Sequence, residues 1–133
     1  MNVRRLKALR KMYTEGILRD EQIDQNVWFS IDRTEKLSKA RQACGSQACS
    51  AGHTVLRWGK PSWRLRRADG ATPVRLYNTR GTQLYISDEA QKLLGLSAHQ
   101  AEYLFRMNER RNFISDRNAV VWRIDCILHG AIK

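Results

Sequence analysis

The sequence predicts a mainly α (α+β) fold: a single compact domain of four to five helices with a small antiparallel β-hairpin. Three observations predict it. The chain has 133 residues, 42% of them hydrophobic, enough to bury one core without metal or disulfide staples. Apolar residues recur at helical spacing towards both ends of the chain. A two-residue alternation of apolar and basic side chains occupies the middle.

Each element follows from its own residues. Val3, Leu6, Leu9, Met12 and Tyr13 fall on one face, with Arg4, Arg5, Lys7, Arg10 and Lys11 mostly between them, which predicts a basic amphipathic helix over 2–14. Gly16 and the polar run 19–26 interrupt it, and Val27 to Ile31 reads as a short strand or an extended apolar plug. Residues 34–40 fit neither pattern. In Ala43 to Leu56, Gly45 and Ser46 make a turn, and Ser46 or Gln47 caps a helix over 48–57 built of small residues, with Cys49 in its first turn. Ala48, Cys49, Ala51 and Gly52 leave little bulk, so another backbone can pack close, as buried helices require.

Residues 63–77 form the basic hairpin. Trp63-Arg64-Leu65-Arg66 and Val74-Arg75-Leu76-Tyr77 alternate, with Asp69-Gly70 as a turn signal between them. The pleat then sets Arg64, Arg66 and Arg75 on one face and Trp63, Leu65, Val74 and Leu76 on the other. A helical pair is expected over 88–106. Ser87 caps its first helix, Gly95 closes that helix, Ser97 caps the next, and Ala101, Leu104 and Phe105 form the buried face. A last helix over 116–129 starts at Ser115 or Asp116 and ends before Gly130, with Ala119, Val120, Trp122, Ile124, Ile127 and Leu128 apolar.

Charge is the most unusual bulk property: 24 Lys and Arg against 13 Asp and Glu, a formal net charge of +11. Residues 1–67 hold 15 of the basic and 6 of the acidic side chains, so the excess sits in the first half. A field of this sign attracts nucleic acid, anionic lipid or an acidic protein, and it also serves solubility. No run reaches the roughly 20 apolar residues of a membrane span, and the first 13 lack the apolar centre of a signal peptide. The expected compartment is the cytoplasm. Three cysteines, Cys44, Cys49 and Cys126, are an odd number and point to reduced thiols.

Three chemical patterns compete with structural readings. Cys44, Cys49 and His53 have a spacing that lets them approach one metal, but the fourth ligand would come from Cys126, His99 or His129, far along the chain. Cys49 at a helix start would see the helix dipole, which favours a thiolate. The string Gln42 to Cys49 faintly resembles the cysteine-bearing helix start of papain-like peptidases, without a recognisable partner His, and a buried structural cysteine is the competing reading. The segment Ala90 to Ser97, followed by Ala101 and Leu104, is similar to bacterial helix-turn-helix motifs, which would offer His99 and Gln100 to a groove. An ordinary helix corner explains it as well.

The Cys49 to His53 segment, the Leu94-Gly95-Leu96-Ser97 corner and the terminal helix with Arg123-Ile124 together resemble a family of small bacterial and phage proteins. That resemblance implies a compact, mostly helical domain and no particular activity, cofactor or catalytic residue.

Trp58, Trp63 and Tyr77 interleave with basic side chains in the mixture that single-stranded nucleic-acid surfaces use, cations for phosphates and rings for bases. Buried rings under solvated arginines are the alternative. The expected contact residues are Arg57, Trp58, Lys60, Trp63, Arg64, Arg66, Arg67, Arg75 and Arg80, helped by Arg4 and Arg5 of the N-terminal helix. The expected function is a non-enzymatic module binding nucleic acid or a nucleoprotein, with no cofactor, no metal and no membrane. Two alternatives stand: a phage-type accessory protein that blocks an acidic host defence protein, and a cysteine-dependent enzyme using Cys49.

Overall fold

A computed structural model describes residues 1–23, 35–36, 49–67, 74–106 and 115–133. Among these residues are five helices, α1 (Val3–Thr14), α2 (Ser50–Trp58), α3 (Ile86–Leu94), α4 (Ala98–Phe105) and α5 (Asp116–Leu128), and a short 3₁₀ turn at Asp20–Gln22. Four short strands, β1 (Glu35–Lys36), β2 (Arg64–Arg67), β3 (Val74–Tyr77) and β4 (Gln83–Leu84), form one antiparallel sheet in the order β1-β2-β3-β4. The mainly α architecture with a small antiparallel sheet is therefore as the sequence predicts. The hairpin is its centre, flanked by two-residue edge strands that carry too little alternation to be read from sequence.

Helix α1 buries Leu6, Leu9 and Tyr13, one stripe along its length, and packs on α5, while α2 packs on α3 and α4 on α5. Helix α2 is buried on every side, Ser50 to Leu56, which its small residues permit. Thr54 satisfies its hydroxyl by donating to the Ser50 carbonyl at 2.7 Å. From the sheet, Trp63, Leu65 and Leu76 join the same core cluster as Val55, Leu94, Leu104 and Ile124.

Helix ends follow elementary capping. Asn2 Oδ1 accepts from the Arg5 amide at 3.0 Å. Ser97 and Gln100 close a reciprocal capping box, Ser97 Oγ accepting from the Gln100 amide at 3.1 Å and Gln100 Oε1 from the Ser97 amide at 2.9 Å. Ser115 Oγ accepts from the Asn118 amide at 3.2 Å. Gly95 ends α3 at φ +63, where a Cβ would also lie 3.1 Å from the Asn2 backbone nitrogen, so the corner and the N-terminus are tied together at a position only glycine fills without strain.

Three expectations are corrected. Cys49 is the N-cap of α2 rather than part of its first turn, because its sulfur takes the acceptor role, receiving the Gly52 amide at 3.5 Å. Helix α3 begins at Ile86, not after Ser87: Ile86, Ala90 and Leu94 make its buried stripe, and the capping position falls on Tyr85 with no side-chain bond. In α5 the apolar pattern misplaces one residue, for Trp122 is 57% exposed while Arg123 is 3% exposed. The buried stripe is Ala119, Val120, Arg123, Ile124 and Ile127, and Trp122 lies on the opposite side of the helix. The expected strand or plug at 27–31, the turn at Gly45 and Ser46, Cys44 and the Asp69-Gly70 turn signal lie outside the described residues.

Candidate nucleic-acid interface

The outer face of the sheet is set by register. Arg64 stands opposite Tyr77, Leu65 opposite Leu76, Arg66 opposite Arg75, and Tyr77 in turn opposite Gln83. Residues paired across antiparallel strands share a face and neighbours along a strand alternate. Leu65 and Leu76, 0% and 1% exposed, mark the inner face. Arg64, Arg66, Arg75 and Gln83 are exposed on the outer one, with Tyr77 half-buried among them. The predicted division of the hairpin into an apolar and a cationic face is therefore what the fold contains.

Arg66 and Arg75 are a directly opposed like-charge pair. Like charges directly opposite each other destabilise a strand ladder. Among the described residues, ion pairs join Arg10 to Asp125, Arg19 to Glu21, Lys92 to Glu89 and Arg117 to Asp20, and none reaches Arg64, Arg66 or Arg75. Over residues 57–80 the sequence holds seven basic side chains and one acidic, Asp69.

Two turns extend the basic face at one end. Residue Trp63 enters β2 from a turn closed by its amide on the Lys60 carbonyl at 3.0 Å, and β3 leaves through a turn in which the Asn78 amide donates to Thr82. Arg64 and Tyr77 are paired at that end, and the two turns carry Lys60 and Arg80, both exposed. Arg57 is exposed at the end of α2. Arg67 pairs with Val74 in register.

Other expected contact residues are placed elsewhere. Trp63, 7% exposed, belongs to the core, because alternation turns it to the face of Leu65; no base can stack on it. Trp58 is half-buried under the Arg5 guanidinium, 5.9 Å from its ring centroid. Arg5 also donates to the Leu93 carbonyl at 2.9 Å, binding α1 to the end of α3. Arg4 is exposed on α1. Within the described strands, the aromatic ring on the cationic face is Tyr77, with the Arg66 guanidinium 5.3 Å from its centroid, a cation–π contact. Position in the alternation distinguishes Tyr77 from Trp63, and residue type alone does not.

The residues of the competing chemical patterns lie mostly in the interior. Cys49 and His53 are 2% and 3% exposed, His53 Nε2 lies 2.6 Å from the Gln22 carbonyl, and the rings of Tyr13 and His53 meet edge to face at 6.2 Å. Burial pushes the Tyr13 phenol well above its ordinary range. Among the described residues no three His, Cys, Asp or Glu side chains gather to hold a metal ion, and no helix is long and apolar enough to cross a membrane. At the α3–α4 corner, Gln100 is engaged by its capping box and donates to the Ile132 carbonyl at 3.1 Å, while His99, the other residue expected to reach a groove, is exposed.

Compared with known protein families, curated proteins and solved structures, the chain matches none.

Proposed function

We propose that the protein is a non-enzymatic nucleic-acid-binding module whose contact surface is the cationic face of the sheet, Arg64, Arg66 and Arg75, extended by Lys60, Arg80 and Arg57. The observation that carries this reading is the opposed pair Arg66 and Arg75 on an exposed face without a carboxylate partner among the described residues. A surface shaped only for solubility intersperses both signs. Here like charges are concentrated where they repel, and a row of phosphates removes that repulsion by lying between them. The mechanism is charge neutralisation with counterion release. Arg4 and the other exposed cations of α1 add long-range steering. The burial of Cys49 and His53 supports a structural role for both over thiol chemistry.

Fluorescence anisotropy with labelled oligonucleotides tests the reading. For about four phosphate contacts, affinity should fall roughly a hundredfold between 50 and 200 mM salt. Binding that ignores salt, or no binding at low salt, contradicts it. A stoichiometric acidic protein that stays bound after nuclease treatment would transfer the same face to a protein partner.

A further inference from the structure

We infer that the sheet face takes single-stranded rather than duplex nucleic acid, with Tyr77 and the Arg66 guanidinium forming the seat for an unpaired base. This rests on the nucleic-acid reading above and adds the state of the strand.

The placement of Tyr77 carries the inference. It is the middle member of a row across three strands, Arg64, Tyr77, Gln83. Arg66, one diagonal step away, already holds its guanidinium over the ring at 5.3 Å. The guanidinium and the ring are thus adjacent on the exposed face, and unpaired bases stack on both kinds of plane. Exposed Gln83 next to the ring offers an amide donor and acceptor to a base edge. Phosphates on either side of that base meet Arg75 along the strand and Lys60 and Arg80 at the turn end. In a duplex the base faces are covered by their neighbours, so the ring would have nothing to bind.

The full chain is titrated with labelled dT12, U12 and a 12-base-pair duplex at two salt concentrations, as wild type and as Tyr77→Phe, Tyr77→Leu and Tyr77→Ala. Thermal melts by circular dichroism run alongside, and Tyr77→Leu keeps apolar bulk on the strand if Tyr77→Ala weakens the fold. The inference predicts that a single strand binds at least tenfold more tightly than the duplex. Tyr77→Phe should retain that preference. Tyr77→Leu and Tyr77→Ala should each lose about tenfold on single strands and nothing on the duplex. Salt-sensitive binding in which the duplex equals or exceeds the single strands, or in which Tyr77→Leu binds single strands as wild type does, overturns the strand preference and leaves the nucleic-acid reading standing. Failure of all three probes to bind at low salt overturns both.

Discussion

The helical body and the outer sheet face use the same residue in opposite ways. In the body, arginines are internal fasteners. Arg123 is buried, with Nη1 on the carbonyls of Leu104 and Arg106 at the end of α4. Arg117 donates to the Leu18 carbonyl at 2.8 Å and pairs with Asp20 at 2.7 Å, gathering the chain after α1 onto α5. Arg10 makes a two-pronged pair with Asp125, at 2.7 and 3.1 Å, between the same helices. On the sheet, Arg64, Arg66 and Arg75 point outward with no carboxylate partner among the described residues. Net charge is therefore a poor guide to a binding surface. What matters is which cations the fold has already neutralised.

The contrast can be broken by mutation in either region. The largest stability effect should come from Arg123→Ala, which strips donors from buried helix-end carbonyls and removes packed side-chain volume. About 3 kcal/mol of stability should be lost in urea denaturation, with oligonucleotide affinity unchanged where the variant is folded. A loss under 1 kcal/mol would mean that the buried guanidinium is no fastener.

A smaller effect belongs to the pair of Arg10 and Asp125. The hydrogen bond from Arg10 holds the Asp125 carboxyl below its ordinary value of 3.8, so the carboxylate is favoured in the folded protein. A lowered folded pKa gives stability that is fully present above the ordinary value and is lost as pH falls through the lowered one. Both side chains are about a third exposed, which limits the pair to about 1 kcal/mol. Removing it with Arg10→Ala should therefore lower stability at pH 7 and shallow the decline below pH 3.8, as read by melting temperature against pH. An unchanged acid limb would contradict the assignment.

The smallest stability change, and the sharpest in meaning, is Arg75→Glu. It turns the like pair with Arg66 into an opposite one, so the fold should gain a few tenths of a kcal/mol while oligonucleotide binding weakens. A surface that becomes more stable as it loses its ligand is a functional surface. Parallel loss of stability and binding would assign Arg75 to the fold instead.

Capping and alternation were legible in the sequence because each is local. The Gly95 to Ser97 corner, the Ser115 cap and the two-faced hairpin follow from neighbouring residues alone. Cys49 as a cap was not, since a thiol is a weak acceptor and Ser46 and Gln47, which carry stronger oxygen acceptors, precede it in the sequence. Arg123 and Trp122 exchanged their expected places because the need for a buried donor arises from the carbonyl ends of α4, nearly twenty residues away. In the same way Arg5 reads as a surface cation until the Leu93 carbonyl and the Trp58 ring are brought to it. Of the candidate site, the arginines of the hairpin could be read from parity. The choice of ring could not be read from composition, which favoured the tryptophans: Trp63 lies in the core and Trp58 on α2, off the sheet.

The most direct measurement compares two triple charge reversals of equal size in the same anisotropy titration. One variant carries Arg64→Glu, Arg66→Glu and Arg75→Glu on the sheet, the other Arg4→Glu, Lys7→Glu and Lys11→Glu on the exposed side of α1. The sheet variant should lose binding at least a hundredfold and flatten the log–log salt slope by about 2 on single strands, whereas the α1 variant should change affinity only a few-fold by weaker steering. Equal losses from both variants would mean that bulk charge, and no particular face, holds the ligand.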